Sequence, residues 1–434
     1  MSRLATFCAL GLFHEAAFAQ PGPGAPAPQS EQSEQPEPKP TSPSSNQPPS
    51  TEPTTTPVSS QAASASYSPN VTEPAKRSGP TVTLGGYVEE YYQLEFQNPS
   101  NRLTNLRAFD TRSRTFTLSN VAISAKADAG PLTANVVLQV GHTGSSYYLG
   151  EPASAGTSSV DTSSGELWKF LQSAIVSAKV PHEFVLEAGL FPSPIGIEVI
   201  PVKDNWNWSR SNLFFGLPFY HTGARVSHPL GGNWTGTLAV YNGWNSVVDN
   251  NGYPSVALSA SYSSTTTSAQ LLYFGGIERP DGALEGKPWR NLFDALVQTA
   301  LTDDLSVAAQ ADAGVEPNEL GMSAWAAGAL YTRFQLHPKL YAAVRGDYFY
   351  EKVASTSGST ASSIFWPVKW VAEGTATLSY QPIVNASLRL EYRHDQAASN
   401  AYFGGNVTTD PMTKASVPNR DTQDGVTLGV TAWF

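Results

Sequence analysis

From residue 80 to the C-terminus, apolar and polar residues alternate in segments of about 10 to 15 residues. In the segment 383–395, for example, Leu388 and Leu390 alternate with Arg389 and Glu391. Successive side chains of a strand point to opposite faces, so such segments predict strands with one apolar and one polar face. Strands of soluble proteins average about five or six residues, whereas a tilted strand that crosses a bilayer needs about 9 to 11. The pattern therefore predicts transmembrane strands.

Sixteen segments show this pattern, and they predict an all-β fold, a transmembrane antiparallel β-barrel of about 16 strands. Merging or splitting one pair of segments would give fourteen or eighteen strands. The segments 112–127 and 321–336 alternate less regularly, which predicts a bulge in each. The predicted strands are 82–97, 112–127, 131–143, 168–180, 183–191, 218–228, 233–245, 254–263, 267–277, 290–301, 304–315, 321–336, 338–352, 365–380, 383–395 and 423–434.

The links between these segments differ in length according to their position in the chain. Links after even-numbered segments are short, as at 128–130 and 229–232, whereas those after odd-numbered segments, except the eleventh, are long. Transmembrane barrels have short periplasmic turns and longer external loops. The link lengths therefore predict that both ends of the barrel sequence lie on the periplasmic side.

The N-terminal part of the chain has a different composition. Residues 1–19 carry a positive charge near their start, at Arg3, followed by a short apolar run. They end with Ala17-Phe18-Ala19, and this pattern predicts a cleaved signal peptide. Residues 20–79 are rich in Pro, Ser and Thr, and their only aromatic residue is Tyr67. Such a segment buries too little apolar area to fold, so it predicts a disordered periplasmic tether. The tether is either a passive spacer or a segment that contacts peptidoglycan. Residues 80–434 then form the barrel domain.

Composition excludes several classes of protein. Only 14% of residues are charged, against about 25% in ordinary soluble domains. The net charge of −10 disfavours nucleic-acid binding. The single cysteine, Cys8, excludes a disulfide scaffold or a Cys-rich zinc site. No apolar run reaches the roughly 18 residues of a membrane helix.

The C-terminal residues give an independent indication of the membrane. Val426, Leu428, Val430 and Phe434 share one face, and the last residue is aromatic. This ending resembles the signature by which the assembly machinery recognises outer-membrane proteins, so we expect Phe434 to act as an assembly signal. The expected location is the bacterial outer membrane, in contact with its lipid.

Aromatic residues near the predicted strand ends are candidates for the interfacial girdles of such a barrel. They are Phe96, Tyr147, Trp168, Trp234, Tyr241, Trp244, Tyr262, Tyr273, Tyr348, Tyr350, Trp366, Trp370 and Tyr392.

If the apolar faces contact lipid, the polar faces point into the barrel. A barrel of sixteen strands is too wide to be filled by side chains alone, so an aqueous channel is expected. The excess of acidic residues predicts a weak cation preference, although the arginines could instead form a local site for anions. The candidate pore-lining residues are Arg225, Arg345, Asp347, Arg389, Glu391 and Arg393.

The long link within residues 189–228 contains Pro194-Ile195-Gly196-Ile197-Glu198, then the run 205–211 (NWNWSRS) and the run 218–225 (PFYHTGAR). These motifs resemble the outer-membrane β-barrel porin-2 family, the OmpL-like porins, and a looser resemblance extends over residues 80–434. The resemblance implies a porin without naming a solute. By analogy with general porins, whose third loop folds inward, Glu198, Lys203, Asp204 and Arg210 would line a constriction. Alternatively, they form salt bridges that hold the loop to the wall.

The sequence therefore favours an outer-membrane porin that passes small hydrophilic solutes or ions by passive diffusion, with no catalytic residues, cofactor or metal. A structural anchor with a plugged barrel and a periplasmic tether is the main alternative. A barrel hydrolase is disfavoured because the chain lacks a Gly-x-Ser-x-Gly elbow. His221 lies in the resembling motif, and we expect it to hydrogen-bond the loop.

Overall fold

The computed structural model describes residues 79–152 and 163–434. In this part of the chain, sixteen antiparallel strands close into one barrel. The predicted fold class and strand count are thereby confirmed. The predicted signal peptide and all but the last residue of the predicted tether lie outside the described residues. None of the helices in the described ranges is long and apolar enough to cross a membrane.

Every predicted strand has a counterpart, although the ends differ by a few residues. A two-residue hairpin, β14 with β15, lies in the loop after β13 and is not part of the barrel wall. The strands are β1 (Thr81–Glu95), β2 (Phe116–Ala129), β3 (Leu132–Val140), β4 (Leu171–Lys179), β5 (Val185–Pro192), β6 (Tyr220–Gly231), β7 (Trp234–Tyr241), β8 (Ser255–Ser263), β9 (Thr267–Ile277), β10 (Trp289–Ala300), β11 (Leu305–Asn318), β12 (Gly321–His337), β13 (Leu340–Lys352), β14 (Ser355–Thr356), β15 (Ser359–Thr360), β16 (Trp370–Ile383), β17 (Ala386–Ala397) and β18 (Thr422–Trp433).

The barrel is closed by pairing the first strand with the last. The ladder between β1 and β18 runs from Tyr87 opposite Trp433 to Glu95 opposite Gly425. Beyond it, the backbone N–H of Phe434 donates to the carbonyl of Gly86 at 3.1 Å. No strand of this barrel therefore has a free edge.

The strands are joined by short turns at one rim and mostly by long loops at the other, as the link lengths predict. We call these the turn rim and the loop rim. Turns at the turn rim are as short as residues 130–131 and 338–339, whereas the loop 193–219 lies at the loop rim. The loops contain the short helices His142–Tyr147, Gly165–Trp168 and Asn212–Phe215 and the 3-10 turn Val202–Asp204.

Both predicted bulges are present. In β2, Asn120 pairs with Glu89 but Leu118 pairs with Glu90, which leaves Ser119 as an extra residue. The pairing of β12 with β13 shifts next to Leu336. An extra residue reverses the alternation of faces, which explains the irregular pattern of the segment 112–127. The shift next to Leu336 lies at the end of the segment 321–336, whose irregular pattern comes from alanine and glycine on both faces.

The two faces of the wall divide as the alternation predicts. Val344 and Leu390 are 57% and 51% exposed on the outside, whereas Arg345 and Glu391 are each 1% exposed on the inside. The terminal Phe434 is 73% exposed. An apolar outer surface of this kind suits contact with lipid.

Five of the predicted girdle aromatics lie elsewhere. Tyr147, Tyr241 and Trp366 are at most 1% exposed and belong to apolar clusters inside the loop-rim half. Trp168 and Trp244 are half-buried against the same apolar clusters. The prediction of an interfacial position is wrong for them, because the loops fold over the barrel mouth and provide apolar partners there.

Candidate functional site

The loop between β5 and β6, residues 193–219, folds into the barrel, and we call it the inward loop. Gly196 has φ 93°, a left-handed conformation that suits glycine. Ser211 caps the short helix that follows, because its side chain accepts from the backbone N–H of Phe214 at 3.1 Å. Contacts with strands far along the chain show that this loop crosses the interior.

Carboxylates on the inner wall accept hydrogen bonds from the backbone of the inward loop. Glu89 accepts from the N–H of Val202 at 2.6 Å. Asp347 accepts from the N–H of Asn212 at 2.7 Å, and Glu391 accepts from Trp208 at 2.6 Å and from Ser209 at 2.9 Å. Hydrogen bonds to charged groups contribute about 1.5 to 3 kcal/mol each. The wall thus fixes a segment that has little regular secondary structure.

Arginines on the wall bind the carbonyl groups of the same loop. Arg345 donates to the carbonyl of Ser209 at 2.6 Å, and Arg389 donates to those of Val202 and Asn207 at 2.8 and 2.9 Å. Arg393 donates to the carbonyl of Arg210. Wall and loop therefore exchange hydrogen bonds in both directions.

The four predicted constriction residues have two kinds of environment. Glu198 is buried and lies 2.7 Å from Arg345, and its carboxylate also accepts from Ser211. Arg210 is buried and donates to backbone carbonyls of its own loop. Burial lowers the pKa of its guanidinium, and the carboxylates of Glu89 and Glu198 partly oppose this shift.

Lys203 and Asp204 form an exposed ion pair at 2.9 Å. Of the four predicted constriction residues, these two are therefore the most accessible to solvent.

All six predicted pore-lining residues face the interior, but they differ in exposure. Arg225 is half-buried and paired with Glu187, whereas the other five are covered by the inward loop. Arg345 lies 2.7 Å from Glu373, and Arg393 lies 2.6 Å from Asp395. The charges of these two arginines are neutralised within the wall. A role of these residues in permeation stays a prediction.

The interior near the loop rim contains a layer of buried apolar side chains. Inward-facing side chains of β5, β7, β9, β10 and β13 are buried there, and the stacked pair Phe215 and Trp366, 5.1 Å apart, joins the inward loop to the loop 353–369. Burial of this surface from water stabilises the packed loops. The buried wall residues are Phe191, Tyr241, Phe274, Leu292 and Phe349.

The interior near the turn rim is polar along one arc of the wall. From β3 to β10, inward-facing side chains remain half-exposed and form a hydrophilic surface. They include Asn135, Ser177, Thr237, Ser259, Gln270 and Gln298. A small cavity of about 20 Å³ lies between this wall and the inward loop, lined in part by Asp204, Trp206, Gln298 and Tyr331.

Sequence analysis did not predict two residues that lie in the interior, Arg333 and Tyr341. The guanidinium of Arg333 lies 4.3 Å from the ring centroid of Tyr341, whose hydroxyl donates to the carbonyl of Trp206 at 3.1 Å. Arg333 lies in the irregular segment 321–336, but Tyr331, Arg333 and Gln335 alternate with apolar residues there. That local alternation was the available signal.

The geometry around His221 does not resemble a hydrolase site. His221 is fully buried, with one ring nitrogen 2.9 Å from the carbonyl of Gly243 and the other 3.3 Å from the hydroxyl of Ser193. The ring stacks on Tyr241. Its contact with Ser193 joins it to the inward loop, as the sequence predicts. Among the described residues, no three His, Cys, Asp or Glu are grouped to hold a metal ion.

Comparison with solved structures finds outer-membrane channels. The outer membrane channel DcaP of Acinetobacter baumannii aligns with a TM-score of 0.53 and 11% identity over 84% of this chain and 100% of its own. The anion-selective porin of Comamonas acidovorans gives 0.53 and 11% over 82% and 100%. OmpF of Salmonella typhi, solved in complex with daunomycin, gives 0.51 and 12% over 82% and 98%. These similarities show a shared fold.

Comparison of sequences is more specific. No curated protein matches the chain significantly. The model of one family, described as "Putative beta-barrel porin-2, OmpL-like", matches residues 81–434, which is the whole barrel and most of the chain. The chain therefore belongs to the β-barrel porin-2, OmpL-like family of outer-membrane barrels.

Proposed function

We propose that this protein is a diffusion porin that passes small hydrophilic solutes or ions down their gradients, without chemistry. The observation that carries the proposal is the half-exposed polar arc of the wall from β3 to β10, beside the inward loop. Such a surface offers hydrogen bonds to water and to polar solutes. An apolar or fully packed wall would offer none.

The inward loop would set the size and charge limits of this path. We infer that Lys203 and Asp204, as the exposed pair of the loop, meet the solute, whereas buried Glu198 and Arg210 hold the loop in place. Arg225 and Glu187 would then be the charged pair on the opposite arc.

The remaining partners follow from the same proposal. The apolar outer face would contact outer-membrane lipid, and the exposed Phe434 at the end of β18 would be read by the assembly machinery. The chain enters β1 at the turn rim, so residues 20–79 would extend from that rim into the periplasm, where they act as a spacer or contact peptidoglycan.

A structural anchor with a plugged barrel is the second candidate, and one observation favours it. The apolar layer near the loop rim buries wall residues such as Phe274 and Leu292 to 1% and 0% exposure. If that layer crosses the whole mouth, no solute passes and the barrel serves only to hold the chain in the membrane.

Single-channel recording of the refolded protein in a planar bilayer distinguishes the two candidates. A porin gives discrete steps of nanosiemens scale, and the single variants K203Q and D204N shift the reversal potential measured across a salt gradient in opposite directions. The matched control S263A, at the turn-rim end of β8, leaves the reversal potential unchanged. The absence of current from a barrel that resists unfolding in detergent would contradict the porin proposal and favour the anchor.

A further inference from the structure

Among the described residues, two arginines of the inner wall have no carboxylate within ion-pair distance, whereas each of the other arginines of the barrel strands has one. Six arginines lie on barrel strands, and four of them have a carboxylate within 4.0 Å: Arg225, Arg290, Arg345 and Arg393. In the described part of the chain, Arg333 and Arg389 have none at that distance. Buried charges in proteins are normally paired, because desolvation costs several kcal/mol. No contact ion pair with a described residue therefore neutralises the guanidinium of Arg333 or of Arg389.

The two guanidiniums lie beside the same aromatic ring. The carbon of the Arg333 guanidinium is 4.3 Å, and that of Arg389 6.0 Å, from the ring centroid of Tyr341. The contact of an arginine with a ring face fixes the plane of its guanidinium. Two cations held so close together repel each other unless an anion lies between them or nearby.

Donors of both arginines remain available. Arg333 is half-buried, and its one hydrogen bond to another side chain is from Nη2 to Gln335 at 2.9 Å. Arg389 uses Nη1 for the carbonyls of Val202 and Asn207, and its buried Nε has no acceptor. An unsatisfied buried donor of this kind costs free energy that a bound acceptor would recover.

The nearby carboxylates already accept hydrogen bonds from the backbone of the inward loop. Glu89 accepts from the N–H of Val202, and Glu391 accepts from Trp208 and Ser209. Their oxygens accept hydrogen bonds from the inward loop and lie more than 4.0 Å from the guanidinium nitrogens of Arg333 and Arg389. A small anion would supply the acceptor that these two guanidiniums lack.

The group lies in the turn-rim half of the barrel, where Arg333 and Tyr341 are half-buried and Arg389 is buried beneath the inward loop. Arg333 lies near the end of β12, Tyr341 at the start of β13 and Arg389 near the start of β17, so all three lie close to the turn rim. The apolar layer lies in the opposite half of the barrel. A solute would reach the group from the turn rim.

We propose that Arg333, Arg389 and Tyr341 form a binding site for a small oxyanion, a solute that carries a carboxylate or a phosphate group. Guanidinium groups match the planar oxygen pairs of these anions with two parallel hydrogen bonds. The inference deepens the proposed function, on which it rests, by naming a chemical class of solute that the barrel concentrates at the turn rim.

Titration calorimetry on the folded full chain in detergent micelles tests the site, with sodium phosphate or sodium acetate as probe against a sodium chloride background. We expect saturable binding of one anion per chain, weakened at least tenfold in R333Q and in R389K. The probe that binds with the higher affinity shows whether phosphate or carboxylate is preferred. The matched control K126Q removes an inward-facing cation near the turn rim, on β2, and leaves the affinity unchanged.

Three results would overturn the inference: no binding by the wild type, equal affinity in R333Q, or equal loss in K126Q. R333Q removes few contacts with the inward loop, and R389K keeps the charge, so either variant decides the question if the other does not fold. Binding in micelles requires no current. Binding without conductance therefore contradicts only the porin proposal, and conductance without binding contradicts only the anion site.

Discussion

At the scale of single residues, charged side chains of the inner wall form ion pairs with one another and also hydrogen-bond the backbone of the inward loop. The sequence predicts which charges face inward, since alternation assigns Arg345, Asp347 and Glu391 to the polar face. It does not predict their partners, because each binds a loop segment more than a hundred residues away in the chain. The pairing follows from loop conformation, which has no periodic signal.

Arg345 is the residue whose loss should disturb the inward loop most. It is 1% exposed and lies 2.7 Å from both Glu198 and Glu373. R345Q therefore leaves the buried Glu198 without its ion pair and Glu373 with only the longer contact to Arg393 at 3.7 Å. Breaking a buried pair in this way costs about 3 to 5 kcal/mol. We expect the free energy of unfolding in urea to fall by about that amount. The control K203Q changes an exposed pair and should cost under about 0.5 kcal/mol; similar effects of the two variants would contradict this assignment.

His142 should make one loop contact sensitive to pH. It lies in the helix His142–Tyr147 of the loop 141–170, 2.6 Å from the hydroxyl of Thr111. Burial, with a smaller contribution from Arg112, lowers its pKa from 6.5 to about 4. The open form of the loop therefore binds a proton between these values, and the folded form does not. The contact is fully stable above pH 6.5 and weakens as pH falls towards 4.

Hydrogen exchange of the loop 141–152 at pH 7 and pH 5 measures this effect, after correction for the intrinsic rate. Exchange should be relatively faster at pH 5 in the wild type. H142Q should lose the dependence, and an unchanged dependence in H142Q would assign it to another group.

At the scale of elements, strands and loops differ in how much the sequence reveals. Apolar and polar residues alternate along the strands, so all sixteen were predicted to within a few residues. Irregular alternation marked the bulge at Ser119, whereas the shift next to Leu336 lies at the end of its segment. The helix His142–Tyr147 was missed, because it has one and a half turns and no side-chain cap. Its side chains contact Thr111 in the loop 96–115 and Ser119 in β2, and no local pattern records these contacts.

The contact between β18 and the inward loop depends on a glycine. A Cβ at Gly429 would lie 2.2 Å from the ring of Trp208. G429A should therefore displace the Trp208 ring and change tryptophan fluorescence, while the barrel itself still forms. The control G374A places a methyl group where the structure leaves open space. If both variants gave the wild-type spectrum, the close packing of loop on strand would be contradicted.

At the scale of the whole molecule, the sequence predicted the barrel wall better than the packing of the loops inside it. The strand number, closure and lipid face follow from alternation and link length, which are repeated sixteen times. Filling of the interior is decided by which loops fold inward and what they cover. The buried positions of Tyr147, Tyr241 and Trp366, predicted at the membrane interface, show this difference. Composition alone cannot distinguish a ring that faces lipid from one that faces a loop.

The pairing of β1 with β18 has a consequence for biogenesis. The partner of the first strand is the last to be synthesised, so the closing contact spans nearly the entire translated barrel. Contacts so distant in sequence form slowly, and loop closure adds an entropic cost. A prematurely terminated chain would retain two unpaired edges, which are templates for aggregation or proteolysis. Closure therefore distinguishes a complete barrel from a truncated one, because only a chain that includes β18 can fold with no strand edge exposed.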